Sequence, residues 1–369
     1  MKKTFILAAV ASMAALFSCS QPGAYTINGS SDILSDGDTV FLVHYAGRSI
    51  ERFDSTIVNA GKFTFKGIQE TPDICGLTFG SSRRLYGLMF LEEGTMTATI
   101  DSTTFKVSGT PNNDGYNEYR DVTDPLLDRM NGAWKGYFAP TTTDEQRAEM
   151  VRKHDEYEKD YSAAICDQTL KNISTPLGLY LLKENYSRFD YEGLYNIVEQ
   201  IPEETIAADE RLAKIKENAT KKYATRPGQM FTDFTMEAPD GTTVKLSDYV
   251  GKGKFVLVDF WASWCGPCCR EMPNVVKLYN QYKDSGMFEI VGVSLDDEKD
   301  SWTEALKQHN MTWPQMSDLK GWKCEGAALY GVNGIPHTVL IDPQGIIIER
   351  DLRETKLADK LAELLTPQE

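Results

Sequence analysis

The residues best able to do chemistry in this chain are Cys265 and Cys268, separated by Gly266-Pro267 and followed at once by the helix-compatible Cys269-Arg270-Glu271-Met272. Two thiols at this spacing can form and break a disulfide, with the thiolate as nucleophile. Half of a zinc site is the competing reading. Zinc needs two further ligands at compatible spacing, but the chain has no second Cys-x-x-Cys pair, and its four histidines are scattered (His44, His154, His309, His337). The run Val256-Leu257-Val258-Asp259-Phe260-Trp261 ahead of the cysteines has the character of a central parallel strand buried on both faces. Such a strand puts the thiols at the carboxyl edge of a sheet and the start of a helix, where unpaired amide N–H groups and the helix dipole favour a thiolate. Asp259 is the one charged residue in this run. A carboxylate there is costly to bury, and desolvation should raise its pKa.

With those residues in place, Trp264-Cys265-Gly266-Pro267-Cys268 resembles the thioredoxin active site. The resemblance implies that Cys265, at an exposed helix start, attacks the substrate disulfide, and that Cys268, one turn further in and buried, resolves the mixed disulfide. Asp259, six positions before Cys265, matches the family's buried aspartate, which takes the proton from Cys268. Glu271, three after Cys268, matches the active-site glutamate of the ResA-like branch, with a solvated glutamate as the alternative. Having both acids leaves open which one handles the proton. Pro336 matches the cis-proline that faces the cysteine pair and aligns the substrate backbone, and Pro273 matches the helix-kinking proline. By the same resemblance, Trp264, Gly266, Pro267, Ile335 and His337 are substrate contacts. His337 stands where many relatives have threonine. A charged imidazole there would lower the thiol pKa values, but a ring pointing away along the strand is the preferred reading. Cys269 lies on a different helix face from Cys268, and with Cys75, Cys166 and Cys324 it is read as buried and inert.

The elements that must position these residues follow an α/β pattern. Phe234 to Leu246 reads as a hairpin turned by Pro239-Asp240-Gly241, and Ser247 starts a short helical turn. Phe288 to Leu295 reads as a strand, Asp300 to His309 and Glu325 to Tyr330 as helices, and Gly334 to Glu349 as an edge hairpin. Thr355 to Leu365 reads as a closing amphipathic helix. The 68 positions from Cys268 to Pro336 leave room for the extra α/β insertion that marks the TlpA/ResA-like branch. Arg226-Pro227-Gly228-Gln229 reads as a linker.

The chain is thus expected to be multidomain. Residues 25–110 form an all-β sandwich or small barrel, 111–225 a helical region, and 226–369 an α/β thioredoxin fold. Short apolar runs such as Thr39 to Val43 and Thr95 to Ile100, separated by turns such as Asn59-Ala60-Gly61, support the first. This layout resembles an uncharacterised β-domain that precedes thioredoxin-like domains in exported Bacteroidetes proteins. In the helical region, helices are expected from Asp144 to about Lys171, from Leu177, from Tyr191 to Gln200 and from about Ala207 to Tyr223. The frequent tyrosines there fit core faces, with a peptide-binding groove as the alternative.

Residues 1–18 read as a secretory signal: Lys2-Lys3, an apolar stretch, then small residues before Cys19. The ending resembles a lipoprotein signal in which Cys19 is lipidated, with residues 19–24 as tether. An ordinary cleaved signal is the alternative. The formal charge of −15 gives no support to nucleic-acid binding. No cofactor or metal is expected. The resemblance implies a periplasm-facing, membrane-anchored thiol–disulfide oxidoreductase of the cell envelope that reduces disulfides of exported proteins and draws electrons from a membrane thiol donor. A thiol peroxidase and a binding protein with a vestigial thioredoxin domain are the alternatives.

Overall fold

The computed structural model describes residues 21–46, 49–80 and 87–366. Cys19 lies outside them. Two compact units divide at Leu182/Lys183, inside the helical stretch.

The first unit opens with β1 (Ala24–Ser31), β2 (Thr39–Ala46), β3 (Ser49–Ile57), β4 (Lys62–Ile68), β5 (Asp73–Phe79), β6 (Leu88–Leu91), β7 (Gly94–Ile100) and β8 (Phe105–Ser108). They make two four-stranded sheets, ordered β4-β1-β7-β8 and β3-β2-β5-β6. The arrangement is a sandwich. Period-two alternation sends Ile27, Phe65, Met96 and Ala98 from one sheet and Val40, Leu42, Leu77 and Met89 from the other into one core. Cys75 belongs to that core, where burial pushes its thiol far up.

Helix α1 (Pro111–Tyr137) follows, a long element whose bounds the sequence pattern does not mark. Its first turn is stapled to the sandwich. Asn113 accepts from the Phe90 amide at 3.0 Å and donates to the Phe90 carbonyl at 2.7 Å, standing in for a neighbouring strand. Buried Glu92 accepts from the Asn112 amide at 2.9 Å, a carboxylate at a helix N-terminus. Helix α2 (Asp144–Asn172) starts with a capping box between Thr143 and Gln146. Cys166 on α2 is half-buried rather than buried. Helix α3 (Pro176–Asn185) sends Leu177 and Leu181 against Phe90.

The second unit adds α4 (Tyr191–Val198), α5 (Glu203–Ala208) and α6 (Glu210–Ala224). The helix expected from about Ala207 to Tyr223 is α6, and the short α5 before it is an addition to that expectation. Asp209 leaves helical geometry and accepts from the Arg211 and Leu212 amides, capping α6. Then come β9 (Thr235–Glu237), β10 (Thr243–Lys245), β11 (Phe255–Trp261), α7 (Gly266–Tyr282), β12 (Phe288–Ser294), α8 (Lys299–Gln308), β13 (Gln315–Met316), α9 (Glu325–Leu329), β14 (His337–Ile341), β15 (Ile347–Arg350) and α10 (Glu354–Leu365). Strands β9 and β10 form the expected hairpin. The five-stranded sheet has the order β13-β12-β11-β14-β15. Its central strand β11 runs parallel to β12 and antiparallel to β14. All of β11 from Val256 onward is buried, as helices on both sides of a sheet require.

Residues 226–229 are not a free linker. The Gly228 amide donates to Ile347 (2.7 Å) and the Ile347 amide to Gln229 (2.8 Å), so the segment covers the open edge of β15.

Candidate active site

Strand β11 ends at Trp261, and its register fixes what surrounds the site. Asp259 lies opposite Gly292 of β12 and Thr338 of β14. A side chain at Gly292 would overlap Gln315, whose Oε1 accepts from buried Trp261 Nε1 at 3.1 Å. Glycine there lets the last residue of β11 satisfy its indole N–H.

Between β11 and α7 the chain turns through Ala262-Ser263-Trp264. Asp296, almost fully buried just past β12, clamps this turn. It accepts from the Ser263 amide at 3.1 Å and the Ser263 hydroxyl at 2.5 Å, while Ser294 supports it at 2.7 Å. Asp296 is absent from the residues that the sequence singles out. Its only signal there is a carboxylate immediately after a strand neighbouring the cysteine-bearing one.

Cys265 is the N-cap of α7: its Sγ accepts from the Cys268 amide at 3.1 Å, with Pro267 in the first turn where its missing N–H is harmless. The two cysteines form a disulfide with Cα atoms 5.2 Å apart. This is the oxidised state of the pair. Contrary to the expected exposure of Cys265, only 5 % of it is accessible, because its sulfur is shared between Cys268 and the Ile335 carbonyl oxygen 3.7 Å away. Exposure falls instead to Trp264, Gly266 and Pro267 around it. The Ile335–Pro336 peptide bond is cis. Trp264 has an exposed neighbour that the sequence does not single out, Trp322, with ring centroids 6.0 Å apart. Cys269 is half-buried, not buried, with its Sγ 3.4 Å from the Ser263 carbonyl oxygen. Cys324 is buried, and its thiol is pushed up to about 11, mainly by desolvation.

Behind the disulfide lies a cavity of about 10 Å³, lined among others by Asp259, Cys268, Glu271, Pro336, Thr338 and Arg353. That volume is about the minimum for one water molecule. Asp259 is buried, and among the described residues its Oδ2 has no hydrogen-bond partner. Its pKa is pushed up to about 7, first by burial and then by the Glu271 charge, with Arg353 opposing. Glu271 is fixed from outside: its Oε1 accepts from Asn274 Nδ2 and from the Glu354 amide, both at 2.8 Å. Glu354 and Asp351 have positive φ angles of 49° and 59°, so the turn that delivers this amide adopts the sparsely populated left-handed region twice. The structure therefore gathers Cys268, Asp259, Glu271 and Pro336 around one small space; Cys265 and Ile335 do not line it, but are joined to it through the disulfide to Cys268 and the peptide bond to Pro336.

His337 is on the other face of β14. Its neighbour Thr338 lies opposite Asp259, so alternation turns His337 away. The imidazole Nε2 accepts from Arg350 at 3.1 Å, and Nδ1 lies 3.4 Å from Asp351. Burial and then the Arg350 charge lower its pKa, while Asp351 opposes them. It is neutral near pH 7 and supplies no positive charge to the thiols.

Comparisons with known proteins agree with this geometry. Residues 227–350 match the model of the AhpC/TSA family, and residues 25–116 match a domain of unknown function (DUF4369). A thiol-disulfide oxidoreductase ResA from Bacillus thuringiensis subsp. konkukian is 32 % identical over 146 residues, 40 % of this chain and 80 % of the relative. The chain belongs to the ResA-type thiol–disulfide oxidoreductases. ResA from Oceanobacillus iheyensis is 40 % identical over 128 residues, 34 % of this chain, and the match spans only 64 % of that relative's length. Among solved structures, the thioredoxin domain of a thiol-disulfide oxidoreductase from Bacteroides vulgatus is 34 % identical and covers 38 % of this chain and 99 % of its own, with a TM-score of 0.36.

Proposed function

We propose that this ResA-type oxidoreductase works as a reductant of disulfides in exported proteins. In its reduced state the Cys265 thiolate attacks one sulfur of a substrate disulfide. A Cys265–substrate disulfide forms and the other substrate sulfur leaves as a thiolate. Cys268 then gives its proton to Asp259 and attacks the Cys265 sulfur, which releases the second substrate thiol and leaves the Cys265–Cys268 disulfide. Two electrons pass to the substrate, and a dithiol donor must return them to the pair. The observation that carries this reading is the shared cavity. A buried carboxylate with a pKa near neutrality and a free oxygen lines the same small space as the buried resolving sulfur. Trp264, Gly266, Pro267 and the Ile335-Pro336 segment form the rim on which the substrate backbone rests.

The Gly-Pro dipeptide between the cysteines, as in thioredoxin, supports the reducing direction; thioredoxin itself sits at about −270 mV. Measuring the potential of the Cys265/Cys268 pair checks this, and a value near the ~−120 mV of a strong oxidant contradicts it. Replacing Cys268 with serine should trap mixed disulfides on Cys265, and identifying the trapped proteins would define the substrates. The Lys2-Lys3 leader and Cys19 support export and lipid anchoring, and a membrane thiol donor would suit that location. Cys19→Ala should abolish incorporation of labelled fatty acid, and labelling that persists removes the anchor from the account.

A further inference from the structure

A second, larger cavity opens on the opposite side of the cis-proline loop. It is a cleft of about 590 Å³ between the start of α4, the end of α6, the loop leading to Ile335, and the His337/Arg350 face of the sheet. Its charges are unequal. Lys222, Arg350 and Arg353 line it against Asp190 and Asp351. Both carboxylates are already engaged. Asp190 accepts from the Gly193 amide at 2.6 Å as the cap of α4, and Asp351 holds Arg353 at 2.5 Å. Arg350 is 6 % exposed and donates to three neutral oxygens: Thr225 O (3.2 Å), Thr225 Oγ1 (2.7 Å) and Tyr330 O (2.6 Å). Its Nε has no partner, and among the described residues no carboxylate lies within ion-pair distance of it. Lys222 rests its stem on Gly331, whose positive φ of 60° and tight contact exclude a side chain there. Among the described residues its ammonium has neither a hydrogen bond nor an ion pair, and burial and then Arg350 lower its pKa. A buried guanidinium and a half-buried ammonium thus share a cleft with no free counter-charge, in a chain of net charge −15.

The cleft adjoins the reacting sulfur. Gly334 and Ile335 form part of its wall, and the Ile335 carbonyl oxygen is 3.7 Å from Cys265 Sγ. The Ile335 side is one path open to a polypeptide bonded to Cys265 through its cysteine. On that path, at about 3.3 Å per extended residue, its next one to three residues reach the cleft. We infer that the cleft is a substrate subsite that takes an acidic side chain close in sequence to the substrate cysteine, with Lys222 and Arg350 as its cationic floor. The inference rests on the oxidoreductase reading above and names a substrate class for it.

Three short peptides carrying Asp, Asn or Lys two residues from a cysteine, each activated as a mixed disulfide with 2-thiopyridine, test it. Reduced protein attacks the peptide sulfur through Cys265 and releases 2-thiopyridine, which is followed by absorbance. The Asp peptide should react about tenfold faster than the Asn peptide at low ionic strength, with the Lys peptide slowest. In Lys222→Gln, which keeps the stem on Gly331, the Asp/Asn ratio should fall below about three, and Lys222→Arg should restore it. Equal rates for Asp and Asn peptides, or an undiminished ratio in Lys222→Gln, overturn the subsite while leaving the oxidoreductase reading intact. Inhibition of all three peptides alike by inorganic phosphate would mean that the cleft binds a free anion, and would also overturn it. Failure of every peptide to react removes the subsite together with the reading on which it rests.

Discussion

The two cavities beside the cis-proline loop differ in almost every physical respect. The one behind Cys268 is the more enclosed and holds about 10 Å³, and among its lining groups is a carboxylate with a free oxygen. The one beyond Ile335 is open, holds about 590 Å³, and has on its floor two cations, Lys222 and Arg350, without an ion pair among the described residues. Adjacent residues of one strand separate them, Thr338 facing the first and His337 the second. A space with room for about one water suits proton transfer, in which a solvated base would have no reason to keep a raised pKa. An open polar cleft suits recognition of a chain that must enter and leave.

That contrast can be broken from either side. The largest effect is expected on the open side. Arg350→Met leaves the Thr225 and Tyr330 carbonyls without their donor and should cost about 3–5 kcal/mol of stability. Chemical denaturation measures it, and a loss below about 1 kcal/mol would mean that Arg350 does not hold α6 to the sheet. On the enclosed side, Asp259→Asn should slow turnover at pH 8 by about 10- to 100-fold. The same substitution should stabilise the fold. Asp259 has a folded pKa of about 7, above its ordinary value of 3.8, so the stability it contributes is present when it is protonated and is lost as pH rises through that range. The asparagine variant escapes this loss, a gain on the order of 2–4 kcal/mol at pH 8 and little at pH 4. Thermal unfolding at the two pH values checks the sign. Smallest is Glu271→Gln. It removes the charge that helps to raise Asp259, so the midpoint of the pH–rate profile should move down from about 7, with only a few-fold change in the plateau rate. An upward or absent movement would separate Glu271 from the proton path.

Much of the enclosed side is legible in the sequence. Asp259 is conspicuous as the lone charge in an apolar strand, and the Cys-Gly-Pro-Cys spacing carries the thiols, Glu271 and Pro336 with it. Four of the five strands of the sheet, and the β-rich first domain, can be expected from alternation and turns; the two-residue β13 (Gln315–Met316) is too short to leave such a pattern. The open side is not legible, because its parts are far apart in the chain. Lys222 ends one helix, Arg350 closes an edge strand 128 positions later, and each alone looks like an ordinary surface cation. Only β15 packing against the end of α6 brings them together. Asp296 is hidden for the same reason, since its partner Ser263 is 33 residues away. The low exposure of Cys265 escapes a sequence reading because spacing says nothing about the Ile335 carbonyl that covers its sulfur. The separate α5 escapes it because Asp209 sits in a helix-compatible run, and capping from its side chain outweighs propensity there.

The rate at which Cys268 resolves a preformed mixed disulfide on Cys265, followed by rapid quench between about pH 5 and 9, tests the central claim most directly. In the unmodified protein the rate should climb through a midpoint near pH 7, and Asp259→Asn should abolish that step and slow resolution at pH 8 by at least about tenfold. The same profile and rate in both proteins would contradict the assignment of Asp259 as the proton acceptor for Cys268.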